Sequence, residues 1–119
     1  MITEPVLIEK PWGSELILER NERFVVKRIF ISAGSRTSLQ SHELKREWVR
    51  VEEGKVEITM GPDVHGLEVH TFSPGAVYRV APTVVHRVHA LEDSYIFEVA
   101  SPPSDEDIIR YDDDYGRGR

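Results

Sequence analysis

Apolar and polar residues alternate with period two along nearly the whole chain. SELILE, RFVVKRIFIS, REWVRVEE, KVEITM, LEVHTF, AVYRVA, VVHRVHAL and SYIFEVA are all rich in Val, Ile, Phe and Tyr and read as strands. SAGS, EEGK, MGPDVHG, SPGA and APT separate them, and their Gly and Pro residues mark tight turns. Many short strands joined this way build an all-β sandwich or small barrel. The chain has 119 residues, enough for one domain over 1–119 that buries a core without cross-links. One stretch breaks the alternation. SDEDIIRY, near the end, is expected to form a short C-terminal helix capped by Ser104.

Parity assigns faces within these strands. In REWVRVEE, Glu47 shares a face with Val49 and Val51, so its carboxylate should point into the core. In VVHRVHAL, His86 shares a face with Val84, Val88 and Ala90. In SLQSH, Gln40 and His42 lie on one face. Arg28 shares parity with Phe24 and Val26 and is expected to enter the barrel as an anion-site candidate. Buried imidazoles and carboxylates are costly unless paired, hydrogen-bonded or metal-bound. Two His, one Glu and one Gln oxygen make a mixed nitrogen and oxygen donor set for a divalent ion. Such a set suits zinc, manganese, iron, cobalt or nickel, and ligand type alone does not choose among them. The competing reading is a set of hydrogen-bonded core groups in a polar turn.

Composition narrows the partners. A net charge of −6 lacks the basic footprint that nucleic acid requires. Local Arg or Lys residues still suffice to hold one phosphate. With no cysteines, disulfides, thiolate metal sites and thiol nucleophiles are excluded. No apolar run reaches membrane-spanning length. MITEPVLIEKPWG carries acids and prolines where a secretory leader needs an apolar stretch, so a cytoplasmic protein is expected.

The spacing of these residues resembles the cupin motifs. Gly34, Gln40, His42, Glu47 and Gly54 fit the first motif, with Gln in place of its first His. Gly75 and His86 fit the second, where Ala81, Thr83 and Ala90 replace its Pro, Gly and Asn. EKPWGSELIL, FVVKRIFISAGSRTSLQSH and EDIIRYDDDYGR narrow the resemblance to the cupin domain of type II mannose-6-phosphate isomerases, often the C-terminal part of mannose-1-phosphate guanylyltransferases. Gln40 is that family's own variant. The resemblance implies a jelly roll that interconverts mannose 6-phosphate and fructose 6-phosphate on a divalent metal. It implies Gln40, His42, Glu47 and His86 as ligands and Lys45 and Arg110 as catalytic groups. Arg87, which follows the ligand His, and Arg28 are the substrate-binding candidates. Small cupins pair through sheet edges, so a homodimer is expected, with the PVLIE strand as the exchanging edge.

Two departures stand out. The family shows a His-rich run after the first ligand His and another His after the Glu, whereas this chain has ELKR and Trp48. Nothing resembles a guanylyltransferase nucleotide loop. Two other chemistries therefore stay open: a non-catalytic sugar or nucleotide-sugar binding module, and another metallo-cupin reaction such as dioxygenation. Other residues have structural readings. Trp12 and Trp48 suit packing, His65 a turn, His70 a surface strand, and Asp112 to Asp114 a solvated terminus or a strand-edge cover with Tyr115.

Overall fold

The computed structural model describes residues 4–117. Among them the strands run in chain order as β1 (Val6–Lys10), β2 (Gly13–Arg20), β3 (Val25–Ile31), β4 (Leu39–His42), β5 (Arg46–Glu53) and β6 (Val56–Gly61). They continue as β7 (Glu68–Phe72), β8 (Val77–Val80), β9 (Val85–Ala90), β10 (Ser94–Ser101) and β11 (Ile108–Asp112). Two antiparallel sheets result, a six-stranded one ordered β1-β2-β3-β10-β5-β8 and a five-stranded one ordered β11-β4-β9-β6-β7. This is the all-β sandwich that the alternation predicts.

The core lies between the sheets. Ile29, Ile31, Val49, Val51 and Ile96 come from the six-stranded sheet, and Val56, Ile58, Val88 and Ala90 from the other. Ile96 sits opposite Ile29 on one side and Val51 on the other, so three strands bring apolar side chains to one level. Trp12, in the turn between β1 and β2, joins this cluster as a packing residue. Trp48 faces outward and meets Phe97 edge-on at 6.5 Å between ring centroids.

Two turns bear on the site. Gly54 has φ of 87°, and a Cβ there would lie 2.3 Å from Ser94 Oγ, so only glycine fits between β5 and β6. Thr83, which stands where the second motif has glycine, takes φ of 72°. A β-branched residue is strained in that region. Its amide donates to the carbonyl of His42 at 2.6 Å, which ties the loop before β9 to the end of β4.

The expected C-terminal helix is not formed. Residues 104–107 make a turn, in which Ser104 Oγ accepts the Glu106 amide at 3.1 Å, and β11 follows. The hydroxyl read as a helix cap therefore serves a turn. Ile108, Ile109 and Arg110 pair with His42, Ser41 and Gln40, and the open edge of β4 overrides local helix preference. Among the described residues no helix is long and apolar enough to cross a membrane.

Candidate metal centre

β4, β5 and β9 deliver the central side chains. His42 ends β4, Glu47 is the second residue of β5, and His86 is the second of β9. One donor atom from each lies within 4.8 Å of the other two, and all three residues are buried. His86 Nε2 stands 3.2 Å from Glu47 Oε2. The two imidazoles are 6.1 Å apart between centroids. Gln40 is the cross-strand partner of His86 and lines the same cavity, a space of about 130 Å³. Its Oε1 accepts a hydrogen bond from Ser38 Oγ at 2.6 Å, which fixes the side chain.

The outer ring nitrogens are already committed. His42 Nδ1 donates to Asp107 at 2.9 Å, and His86 Nδ1 donates to the Val84 carbonyl at 3.0 Å. Each imidazole thus keeps Nε2 for the cavity. That arrangement is the one metal-ligating histidines adopt, with the second nitrogen held by a carboxylate or carbonyl. Burial opposes charge on both Glu47 and His86. The hydrogen bond and charge of each partner outweigh it, lowering the affinity of Glu47 for a proton and raising that of His86. A divalent cation held here would replace the Nε2 proton. The donor set therefore fits such a metal.

A second group of charges shares the cavity. Lys27, Glu15, Glu98 and Asp105 line it beside the trio. Lys27 Nζ is 3.1 Å from Glu15 and 3.6 Å from Asp105. Burial disfavours the Lys27 charge, but Glu98, Glu15 and Asp105 together raise its proton affinity. Glu98 hydrogen-bonds Glu47; burial and the Glu47 charge push its carboxyl well above the usual range. Burial also pushes the Tyr78 hydroxyl upward, aided by the charges of Glu47 and Glu98.

The sequence-predicted residues divide. Gln40, His42, Glu47, His86 and Arg110 line one cavity. Lys45 is 1% exposed, and its ammonium hydrogen-bonds Asp105. Arg28 lies on the outer face, contrary to its expected place inside. Its guanidinium stacks 3.9 Å from the Tyr95 centroid and lies 3.5 Å from Glu52. The inward residues of β3 are Val25, Lys27, Ile29 and Ile31. Val26, Arg28 and Phe30, with Phe24 before them, are as apolar as that set, and each face carries one cation, so alternation alone could not orient the strand. Arg87 is buried away from the cavity lining, donating to the Thr37 carbonyl at 3.1 Å and to Asp112 at 3.1 Å. The Asp112 to Asp114 run binds arginines of its own chain: Arg87 and Arg36 at Asp112, Arg117 at Asp113 and Arg36 at Asp114. Tyr115 packs on the core.

Glu15, Lys27, Glu98, Asp105 and Asp107 escaped the sequence reading. Glu98 was within reach, because it shares parity with Ile96 and Ala100. Asp107 was hidden in the segment read as helix.

Residues 4–113 match the family model described as mannose-6-phosphate isomerase C-terminal. The chain belongs to that family. Among curated proteins, the xanthan biosynthesis protein XanB of Xanthomonas campestris pv. campestris is 31% identical over 116 residues, covering 92% of this chain and 23% of that protein. The alginate biosynthesis protein AlgA of Pseudomonas aeruginosa is 30% identical over the same shares. This chain thus spans about a quarter of the length of the curated relatives it matches. Among solved structures, an oxalate decarboxylase variant from Bacillus subtilis superposes with a TM-score of 0.77 at 15% identity, covering 90% of this chain and 30% of that one. KdgF from Halomonas sp. gives 0.74 at 20% identity, over 85% and 91%. These likenesses establish the cupin fold.

Proposed function

We propose that this cupin is a metal-dependent sugar-phosphate isomerase that interconverts mannose 6-phosphate and fructose 6-phosphate or a related pair. The observation that carries the reading is the buried His42, Glu47 and His86 trio, set in a polar cavity of a chain that matches the isomerase family almost throughout. A divalent metal held by these residues, with Gln40 beside them, would stabilise negative charge developing on sugar oxygens. Zinc is the first metal to test, then manganese, iron, cobalt and nickel. Arg110, Lys10 and Arg117 line the cavity and supply cations for a phosphate. Lys45 would act through Asp105, which it holds at the cavity wall.

Three of the positions at which the family's histidines are missing lie off the cavity. Trp48 occupies the position after the ligand Glu and faces outward. Glu43 is exposed, and Leu44 is 67% exposed. A histidine at any of the three would point away from the cavity in this fold. A homodimer belongs to the same proposal, with β1 at the edge of its sheet and Val6 and Leu7 exposed on it; sedimentation of the purified protein checks it.

The deciding experiment uses untagged protein and His86→Ala. Metal content is measured by elemental analysis, and each sample is assayed for isomerisation with metals added back. Near-stoichiometric metal and turnover in the wild type, both lost in the variant, are expected. Metal without turnover would turn the reading to a binding module or another reaction. No metal under any loading condition would overturn it.

A further inference from the structure

Aldose–ketose isomerisation needs a group that moves a carbon-bound proton, and none of the metal-site residues is available for it. The identity of that group rests on the isomerase function proposed for this cavity. Among the described residues, the carboxylates lining the cavity are Glu15, Glu47, Glu98 and Asp105. Glu47 belongs to the ligand trio, and Glu98 is hydrogen-bonded to Glu47. Asp105 bridges two lysines and its side chain is 47% exposed. Lys27 and Lys45 engage it from two sides, which commits it as a brace at the cavity wall.

Glu15 remains. It sits in β2 with the parity of buried Ile17, so it faces inward, and its side chain is only 13% exposed. Lys27, on the adjacent strand, donates to Glu15 Oε1 at 3.1 Å. Lys27 is itself 2% exposed and anchored on its other side by Asp105, so the carboxylate it holds has little freedom to turn. We propose that Glu15 carries the proton in the isomerisation and that Lys27 is its positioning residue.

The step balances without a co-reactant. The Glu15 carboxylate takes the proton from C2 of the open-chain aldose. The C2–H electron pair becomes the C1=C2 bond, and the C1 carbonyl oxygen takes the negative charge. Glu15, now a carboxylic acid, returns the proton to C1. The proton of the 2-hydroxyl passes to the C1 oxygen, and C2 becomes the carbonyl. Glu15 ends as a carboxylate.

The test follows washout of the C2 hydrogen of mannose 6-phosphate into D₂O by NMR, alongside kcat and KM, with full-length metal-loaded protein. Glu15→Gln is expected to lose about 10²-fold or more in kcat and in washout. Its metal content and its affinity for the unreactive mannitol 6-phosphate by calorimetry should stay at wild-type values, and Lys27 keeps Asp105 as a partner. Glu15→Asp should recover part of the rate. Lys27→Arg should lower kcat with KM unchanged, which a merely structural lysine would not do. Washout at the wild-type rate in Glu15→Gln would overturn the assignment and leave the isomerase reading standing. Lost metal or early melting in that variant, with wild-type kcat in Glu15→Asp, would assign Glu15 a structural role instead. A wild type that neither turns over nor exchanges would bring down both.

Discussion

The five-stranded sheet brings Gln40, His42 and His86 to the cavity, whereas the six-stranded sheet brings Glu15, Lys27, Glu47 and Glu98. The first wall is made of donors that can be neutral, each fixed by a hydrogen bond behind it. The second is made of charges that hold one another. A buried imidazole needs only one good partner to be satisfied, but a buried carboxylate needs a cation. The six-stranded wall meets that need with Lys27, helped by Lys45. The candidate metal donors straddle both walls, so an ion there would tie the two sheets together.

The charged wall should be the more fragile. Lys27→Met takes from Glu15 the ammonium that holds it and should cost about 3–5 kcal/mol in urea unfolding. Its outward neighbour Arg28, truncated to alanine, should cost no more than about 1 kcal/mol. Equal effects would mean that the wall is not compensated in the way described. The imidazole wall should respond through affinity. Asp107→Ala frees the ring of His42 and should weaken metal binding about 10–100-fold, measured by competition with a chromophoric chelator.

Acid should act on the charged wall too. The native carboxyl of Asp105 titrates at about 2, below its ordinary 3.8, because the ammonium groups of Lys27 and Lys45 outweigh burial. The native state therefore binds this proton less readily than the unfolded chain. The stabilisation is fully present above the ordinary value and is lost as pH falls from about 4 through about 2. Asp105→Asn should flatten the acid limb of a stability–pH curve across that window. The smallest effect is expected in the loop that joins the walls. Thr83→Gly relieves a left-handed threonine and should stabilise the fold by about 1 kcal/mol in the same urea assay. A loss instead would show that the threonine side chain repays its strain.

Much of this arrangement was legible because one rule governed it. Alternation with strong valine and isoleucine partners oriented Glu47 and His86 correctly. The motif spacing placed Gly34, Gly54 and Gly75 where the backbone takes positive φ. The rule failed where its signal vanished. Both faces of β3 are equally apolar, so Arg28 was turned inward and Lys27 overlooked. SDEDIIRY carries acids that suit a helix start, yet whether it extends is decided by β4, which lies more than sixty residues earlier and whose open edge no local pattern announces. Ion pairs such as Lys27 with Glu15 depend on register between strands, and sequence spacing does not contain register.

The central position of β10 has a consequence for how the protein is made. Ser94–Ser101 lies between β3 and β5, so a strand synthesised late completes the middle of a sheet whose other members emerge early. On the ribosome, β1, β2 and β3 can form a meander, but β5 has no neighbour on that side until β10 leaves the exit tunnel. His86 lies on β9, after both other donors in the chain, so the three donors meet only when β9 joins β4 and β5. An ion held by all three donors can therefore be captured only once the strands through β9 have been made.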